Sequence, residues 1–365
     1  MITYLFVDVI VLFLGYLFTN SKKYSIDKKN NFQRKVLYYL VGAVLVFVSA
    51  FRGNFSKDYD GYMDMYYRFS DLTIDQIIKR EWFSYPEKGY LIFQRLVKIL
   101  FDNPIYIFIF TSLIIVALNL FIIHKSVDND FFALFLFLEA GVYYSSFNLT
   151  RQILAASITM IGINFIYKKQ LVPYIVIVLL ATSIHQSAFV MILFYFIAQI
   201  KFKKSRVALL PIVFIILFMV LPFMVSTIQR YYWTWYDQST TSDIGYSWKN
   251  VVVPLAIVVV SFACYLTNNN EKNTEKENDN GYLIENVGLY STFLYASLYL
   301  LGMRLKMVQR FSTFFSTMTI CFFCNQVVKS KYKDLIILIS VVILILFGYI
   351  TKDDFPYYFV WSQSH

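Results

Sequence analysis

The chain has 365 residues, of which 58% are hydrophobic, 20% aromatic and only 15% charged, with a formal net charge of +10. A globular chain carries about 25% charged residues, and a mean hydropathy of +0.55 leaves too little polar surface for a water-soluble fold. These figures exclude a soluble enzyme, a disordered chain and a disulfide scaffold. They point to an all-α, polytopic integral membrane bundle.

Apolar runs of bilayer-crossing length, about 17–25 residues, predict spans over 2–19, 36–51, 104–123, 131–147, 150–167, 207–226, 251–267, 283–302, 311–328 and 334–350. The first run has no basic start and no small-residue cleavage site, so it reads as a retained span and not as a signal peptide. The stretch 171–200 is interrupted by Thr182-Ser183-Ile184-His185-Gln186-Ser187. Lys168 and Lys169 precede it, and Lys201, Lys203, Lys204 and Arg206 follow it. Two short helices turning at the polar run put both basic clusters on one face, which brings the total to about 12 spans.

Charge sets the orientation. The loops 20–35, 124–130, 168–170, 201–206, 268–282 and 329–333 hold 18 of the 33 Lys and Arg in about 52 residues, more than twice the density elsewhere outside the spans. These loops are therefore expected on the cytoplasmic side, with both termini outside. The net +10 is this topology signal, so no nucleic-acid partner is expected. The expected organisation is a bundle of about nine spans over 1–267, with outer loops 52–103 and 227–250. A polar cytoplasmic linker over 268–282 and a three-span unit over 283–365 follow. Residues 86–101 form an amphipathic pattern containing Arg95 and Lys98, so loop 52–103 is expected to carry short surface or re-entrant helices.

The chemistry-bearing residues gather at the outer ends of the spans. Arg52, Gly53, Lys57, Asp58, Tyr59, Asp60 and Tyr62 open the first outer loop. Carboxylates beside fixed cations suit acid–base work, although a solvated loop would look the same. Trp82, Glu87 and Tyr90 follow in that loop. Arg151 and Gln152 open the span at 150, where free backbone N–H groups also favour an anion. His185 and Gln186 sit where two short helices meet, a place that usually lines a cavity. Arg304, Lys306 and Arg310 crowd an outer turn against the positive-inside bias, and an anionic ligand is one local reason. Cations from separate turns facing one compartment suggest a pocket for an anion such as a lipid pyrophosphate. No P-loop is present, and no cofactor is expected. Cys264, Cys321 and Cys324 lie in apolar runs, and a lone C-x-x-C without further ligands reads as packing, so no metal site is expected.

The motifs Arg52-Gly53, Asp58-Tyr59 with Tyr62, Glu87-x-Gly89-Tyr90, Thr150-Arg151-Gln152 with Ala155, Ser183-x-His185-x-Ser187-Ala188, and Arg304 with Arg310-Phe311 occur in this order. In that order and topology the chain resembles the EpsG-like family of Wzy-type O-antigen or capsular polysaccharide polymerases, from about residue 1 to 350. It departs at Ser56-Lys57, where a Gly-Thr or Gly-Ser pair would precede the Asp-Tyr.

The resemblance implies a metal-independent glycosyltransferase in the bacterial cytoplasmic membrane, with its active site facing outward. It would move a growing glycan from undecaprenyl pyrophosphate to the non-reducing end of a lipid-linked repeat unit. Membrane lipids, a flippase and a chain-length regulator are the implied partners. Asp58, Glu87 and His185 are the candidates for proton transfer, and Arg52, Arg151, Arg304 and Arg310 for holding pyrophosphate. Tyr59, Tyr62, Trp82, Tyr90, Gln152 and Gln186 are the candidates for contacting sugars. The alternatives are a lipid-linked repeat-unit flippase, an O-antigen ligase-like transferase and a membrane acyltransferase. Spans nearly free of Lys and Arg argue against the flippase, and a large outer loop placed early argues against the ligase.

Overall fold

A computed structural model describes residues 6–11, 13–14, 32–54, 58–81, 85–202, 209, 212–213, 215–216, 219–220, 249–268, 281–303, 306–352 and 357–362. Among them the fold is all-helical, with a single isolated antiparallel bridge between Arg52 and Phe359. The expected spans at 2–19 and 207–226, the outer loop 227–250 and the linker 268–282 lie mostly outside the described residues. The chain divides into two compact units. One comprises 1–192 with 337–365, and the other comprises 193–336.

The first unit is built around α1 (Phe32–Ala50), α5 (Ile105–Ser126), α8 (Thr150–Tyr167) and α9 (Leu171–Ile184). Among the described residues, α5 is the one helix both long and apolar enough to cross a membrane by itself, with a mean hydropathy of 2.6 over its most apolar window. Small and hydroxylated residues let these helices approach closely. Gly42 meets Leu120, and Gly162 meets the Tyr174 ring, each at a distance where a methyl group would crowd its neighbour. Ser112 Oγ donates to Ser49 Oγ at 2.8 Å, and Asn119 Nδ2 donates to Ser157 Oγ at 2.8 Å. Such interhelical bonds contribute about 0.6 kcal/mol each where lipid supplies no hydrophobic driving force between helices.

Among its described residues, loop 52–103 forms three short helices, α2 (Tyr59–Phe69), α3 (Ile74–Lys79) and α4 (Lys88–Leu100), of which α4 matches the amphipathic pattern at 86–101. Thr73 and Gln76 form a reciprocal capping box that starts α3. Helix α4 buries Tyr90, Leu91, Gln94 and Val97 on one face and leaves Leu96, Ile99 and Leu100 exposed.

The run 131–147 departs from its expectation. It forms α6 (Asp130–Glu139), about 15 Å long and so about half a hydrocarbon core, followed by the one-turn α7 (Val142–Ser145). Every residue of α6 is buried, as suits a helix that is apolar all round. Gly141, at φ +82°, stops it in a conformation that costs a glycine nothing.

The stretch 171–200 breaks where its polar run predicts. Helix α9 ends at Ile184, and a 3-10 turn over Gln186–Val190 leads into α10 (Met191–Gln199). Tyr174 Oη donates to Met191 O at 2.6 Å, whereas a straight helix would hold those residues about 25 Å apart. The chain therefore folds back on itself with His185 at the tip.

The second unit contains α11 (Lys249–Thr267), α12 (Gly281–Gly302), α13 (Lys306–Arg310) and α14 (Thr313–Lys329). Tyr265, Leu289 and Phe322 form its core, and Gly288 lets α12 lie directly against Phe322. Asn286 Nδ2 donates to Ile200 O at 2.8 Å and Asn268 Nδ2 to Gln326 O at 3.0 Å, which ties its helix ends together. Cys321 and Cys324 are buried in α14. Helix α15 (Lys333–Lys352) runs from this unit into the first.

Candidate functional site

Glu87 stands at the N-cap of α4 in an extended conformation, which aims its side chain away from the helix it precedes. Two residues on, Gly89 rests on the end of α9. A methyl group there would fall 2.7 Å from Ser183 O. Only a residue without a side chain lets α4 start so close to the hairpin tip, and that closeness carries Glu87 to His185 and Gln186.

The Glu87 carboxylate is buried, and each of its oxygens accepts a hydrogen bond from protein. Arg151 Nη1 donates to Oε2, and the Gln186 backbone N–H donates to Oε1 at 3.1 Å. His185 Nδ1 lies 4.0 Å from the same Oε1. Three segments, separated by 64 and 99 positions in sequence, thus converge on one carboxylate. The Arg151 guanidinium lies between the rings of Tyr85 and Tyr90, at 4.7 and 5.5 Å from their centroids. Such faces attract a cation that has given up water.

The Ser187 backbone N–H donates to His185 Nδ1 at 3.3 Å, and Ser187 Oγ lies 2.9 Å from the same atom. A backbone N–H can only donate, so the neutral imidazole carries its proton on Nε2. His185 in this state offers a donor, not a base. Beside the cluster is a cavity of about 280 Å³ lined by Glu87, Lys88, Leu179, Thr182, Ser183 and Gln186, with Phe189 at its edge. Its walls are apolar and its polar groups sit near one carboxylate, the arrangement of a small-molecule site.

Behind the cluster lies a supporting layer. Tyr62 Oη accepts from the Arg151 backbone N–H at 3.2 Å and so caps the first turn of α8. Burial pushes its phenol above the ordinary tyrosine range. Arg52 is buried between Phe108 and Phe147, 4.7 and 5.5 Å from their ring centroids. It donates to Ser49 O at 2.5 Å and to Thr150 Oγ1 at 3.1 Å. Burial pushes its guanidinium down to about 10, so it stays charged at neutral pH.

The structure therefore brings together Glu87, Arg151, His185 and Gln186 out of the residues singled out by sequence. Arg52 stands one layer back. Asp58 is exposed at the start of α2. Tyr59, stacked on Phe108 at 4.9 Å, and Tyr62, Tyr90 and Gln152 all lie in the protein interior. Arg310 is exposed in the second unit, while Trp82 and Arg304 lie outside the described residues. The ring of Tyr85 beside Arg151, the bond from Arg52 to Thr150 and the segment 357–362 adjoin the cluster without being site candidates in the sequence. The aromatic cluster Tyr357-Tyr358-Phe359 with Trp361 was the available signal for that segment.

A family model described as the EpsG family matches residues 35–358, which take in the whole of this cluster. The chain belongs to the EpsG family. This is a family of Wzy-like polymerases, glycosyltransferase-like proteins of the membrane. No curated protein and no solved structure matches the chain significantly. Within the EpsG family match, Glu87, Arg151 and His185 sit on three separate elements of the first unit.

Proposed function

We propose that this EpsG-family protein elongates a surface polysaccharide at the outer face of the bacterial cytoplasmic membrane. The donor is a growing glycan on undecaprenyl pyrophosphate, and the acceptor is the non-reducing-end hydroxyl of a lipid-linked repeat unit. The observation that carries the reading is the meeting of a buried carboxylate, a guanidinium and a proton-bearing imidazole beside an apolar-walled cavity.

The acceptor hydroxyl oxygen forms a bond to the anomeric carbon as the bond from that carbon to the pyrophosphate oxygen breaks. The leaving pyrophosphate takes the electron pair, and the hydroxyl proton passes to Glu87. Both Glu87 oxygens already accept one bond, and each keeps a further lone pair toward the cavity. An oxocarbenium-like transition state gathers negative charge on the departing oxygen. The Arg151 guanidinium and the His185 imidazole, both within reach of Glu87, are the groups proposed to meet it. Asp58, which is exposed at the start of α2, and Arg310 have no part in this scheme.

A chain of about twelve spans with both termini outside is consistent with the hairpin at 171–199. The pairing of Phe359 with Arg52 is consistent with it too, because it holds segment 357–362 at the same end of the first unit as the outer loop.

The test is Glu87→Gln, expressed in cells whose own copy of the gene is deleted. The expected result is lipid-linked single repeat units on the outer face and no polymer. Full-length polymer from this variant at normal protein level would remove Glu87 from the chemistry. Repeat units trapped on the cytoplasmic face in the deletion strain would replace the polymerase reading with a flippase.

A further inference from the structure

Segment 357–362 packs against the site's supporting layer although more than 300 positions separate it from Arg52. Gly53 N donates to Tyr358 O at 2.8 Å, and Val360 N donates to Phe51 O at 3.0 Å. Tyr357 Oη donates to Val48 O at 2.7 Å, and Tyr358 Oη donates to Asn54 O. Phe359 stacks on Trp361 with centroids 4.7 Å apart, and both rings lie against Phe47. A methyl group on Gly53 would sit 2.4 Å from the Tyr358 ring, so the pairing requires glycine there. The turn Phe51-Arg52-Gly53 is therefore clamped by backbone bonds on either side of Arg52. From that clamp Arg52 reaches Thr150, the first residue of α8. The next residue is Arg151.

We propose that segment 357–362 is a positioning strap for the Glu87–Arg151 pair. The strap fixes the Arg52 backbone, Arg52 fixes Thr150, and Thr150 sets the first turn of α8 from which Arg151 meets Glu87. The polymerase reading enters only through the activity measurement below. A reacting group displaced by about 1 Å can cost on the order of 100-fold in rate, so a remote clamp of this kind controls the chemistry without touching substrate.

Val360→Pro isolates the strap. Val360 opens a 3-10 turn, where the fixed φ of proline is tolerated, and Phe359 before it already pairs as a strand residue does. The substitution removes the donor to Phe51 O and little else. Gly53→Ala is the independent second variant, since it drives the Tyr358 ring away.

The full chain is purified in detergent and examined by hydrogen exchange. It is also assayed on lipid-linked repeat units extracted from cells lacking this gene. Both variants should speed exchange in peptides covering 147–153 by about tenfold. They should lower kcat by about tenfold with KM within about twofold. Adding Tyr358→Ala to Gly53→Ala should restore most of both readouts. In an Arg52→Gln background, Val360→Pro should add nothing, because the strap acts through Arg52. Unchanged exchange over 147–153 in both variants overturns the proposal, and so does a full additional loss in the Arg52→Gln background. Faster exchange in a protein whose wild-type form fails to elongate the units supports the strap and removes the polymerase reading instead.

Discussion

Removing Glu87 should destabilise the protein more than removing Glu87 and Arg151 together. The two side chains are only 7% and 8% exposed, so Glu87→Ala leaves a guanidinium buried without its anion. Breaking a buried pair from one side costs about 3–5 kcal/mol, because the remaining charge has lost its compensation. The Tyr85 and Tyr90 faces are present before and after the change, so they do not offset that loss. In the double variant Glu87→Ala/Arg151→Ala the orphaned charge is gone. What remains is lost packing and the two cation–ring contacts, about 0.5–2 kcal/mol each. Thermal unfolding of the detergent-purified protein should then place Glu87→Ala on the order of 5–10 °C below wild type. The double variant should recover about half of that fall, while neither makes polymer. A single variant within about 2 °C of wild type, or a double variant lower than the single, would refute the buried ion pair as the centre of the site.

Two glycine substitutions separate contact from conformation. Gly89→Ala should cost about 1–3 kcal/mol and abolish polymer in cells, because its methyl meets the Ser183 backbone oxygen and the start of α4 must move away with Glu87; a gel of surface polysaccharide beside an immunoblot reads both. Gly141→Ala meets no atom within 4 Å but sits at φ +82°, so its expected cost is about 1–2 kcal/mol of backbone strain alone. That variant should lower the unfolding temperature while leaving some polymer synthesis.

The all-helical character of the described residues was legible because a bilayer-sized apolar run leaves few options for its backbone. The hairpin at His185 was legible for the same reason, since five polar residues among the six of 182–187, inside an apolar stretch, demand a turn or a cavity. The break in α6 was not. Residues 131–147 read as apolar straight through Ala140 and Gly141, and the sign of one dihedral angle has no polarity signal. Glu87, Arg151 and His185 were legible as polar groups at span ends, whereas the links between them were not. The Gln186 N–H that meets Glu87 and the pairing of Gly53 with Tyr358 both use backbone groups, which every non-proline residue carries and which therefore leave no mark in the sequence. Tyr59, Tyr62 and Tyr90 illustrate the converse. A tyrosine near a membrane end looks the same in sequence whether it faces a sugar or, as Tyr62 does, caps a neighbouring helix.

Two buried arginines among the described residues of the first unit show how a chain with 20% aromatic and only 15% charged residues keeps cations inside. Arg52 lies between Phe108 and Phe147, and Arg151 lies between Tyr85 and Tyr90. In each case the guanidinium carbon lies near two ring faces, and its nitrogens make directed bonds. Arg52 donates to Ser49 O and Thr150 Oγ1, and Arg151 donates to Glu87. A lysine ammonium is compact and strongly hydrated, with no flat face to stack, and would lose water without regaining either contact. The positive charge among the candidate residues is therefore of two kinds that sequence alone does not separate. Exposed cations such as Arg310 keep much of their hydration, while those between rings give it up to hold a fixed direction. A buried pair of this kind is held more rigidly than exposed pairs such as Arg68–Asp64, and the carboxylate that Arg151 holds borders a cavity.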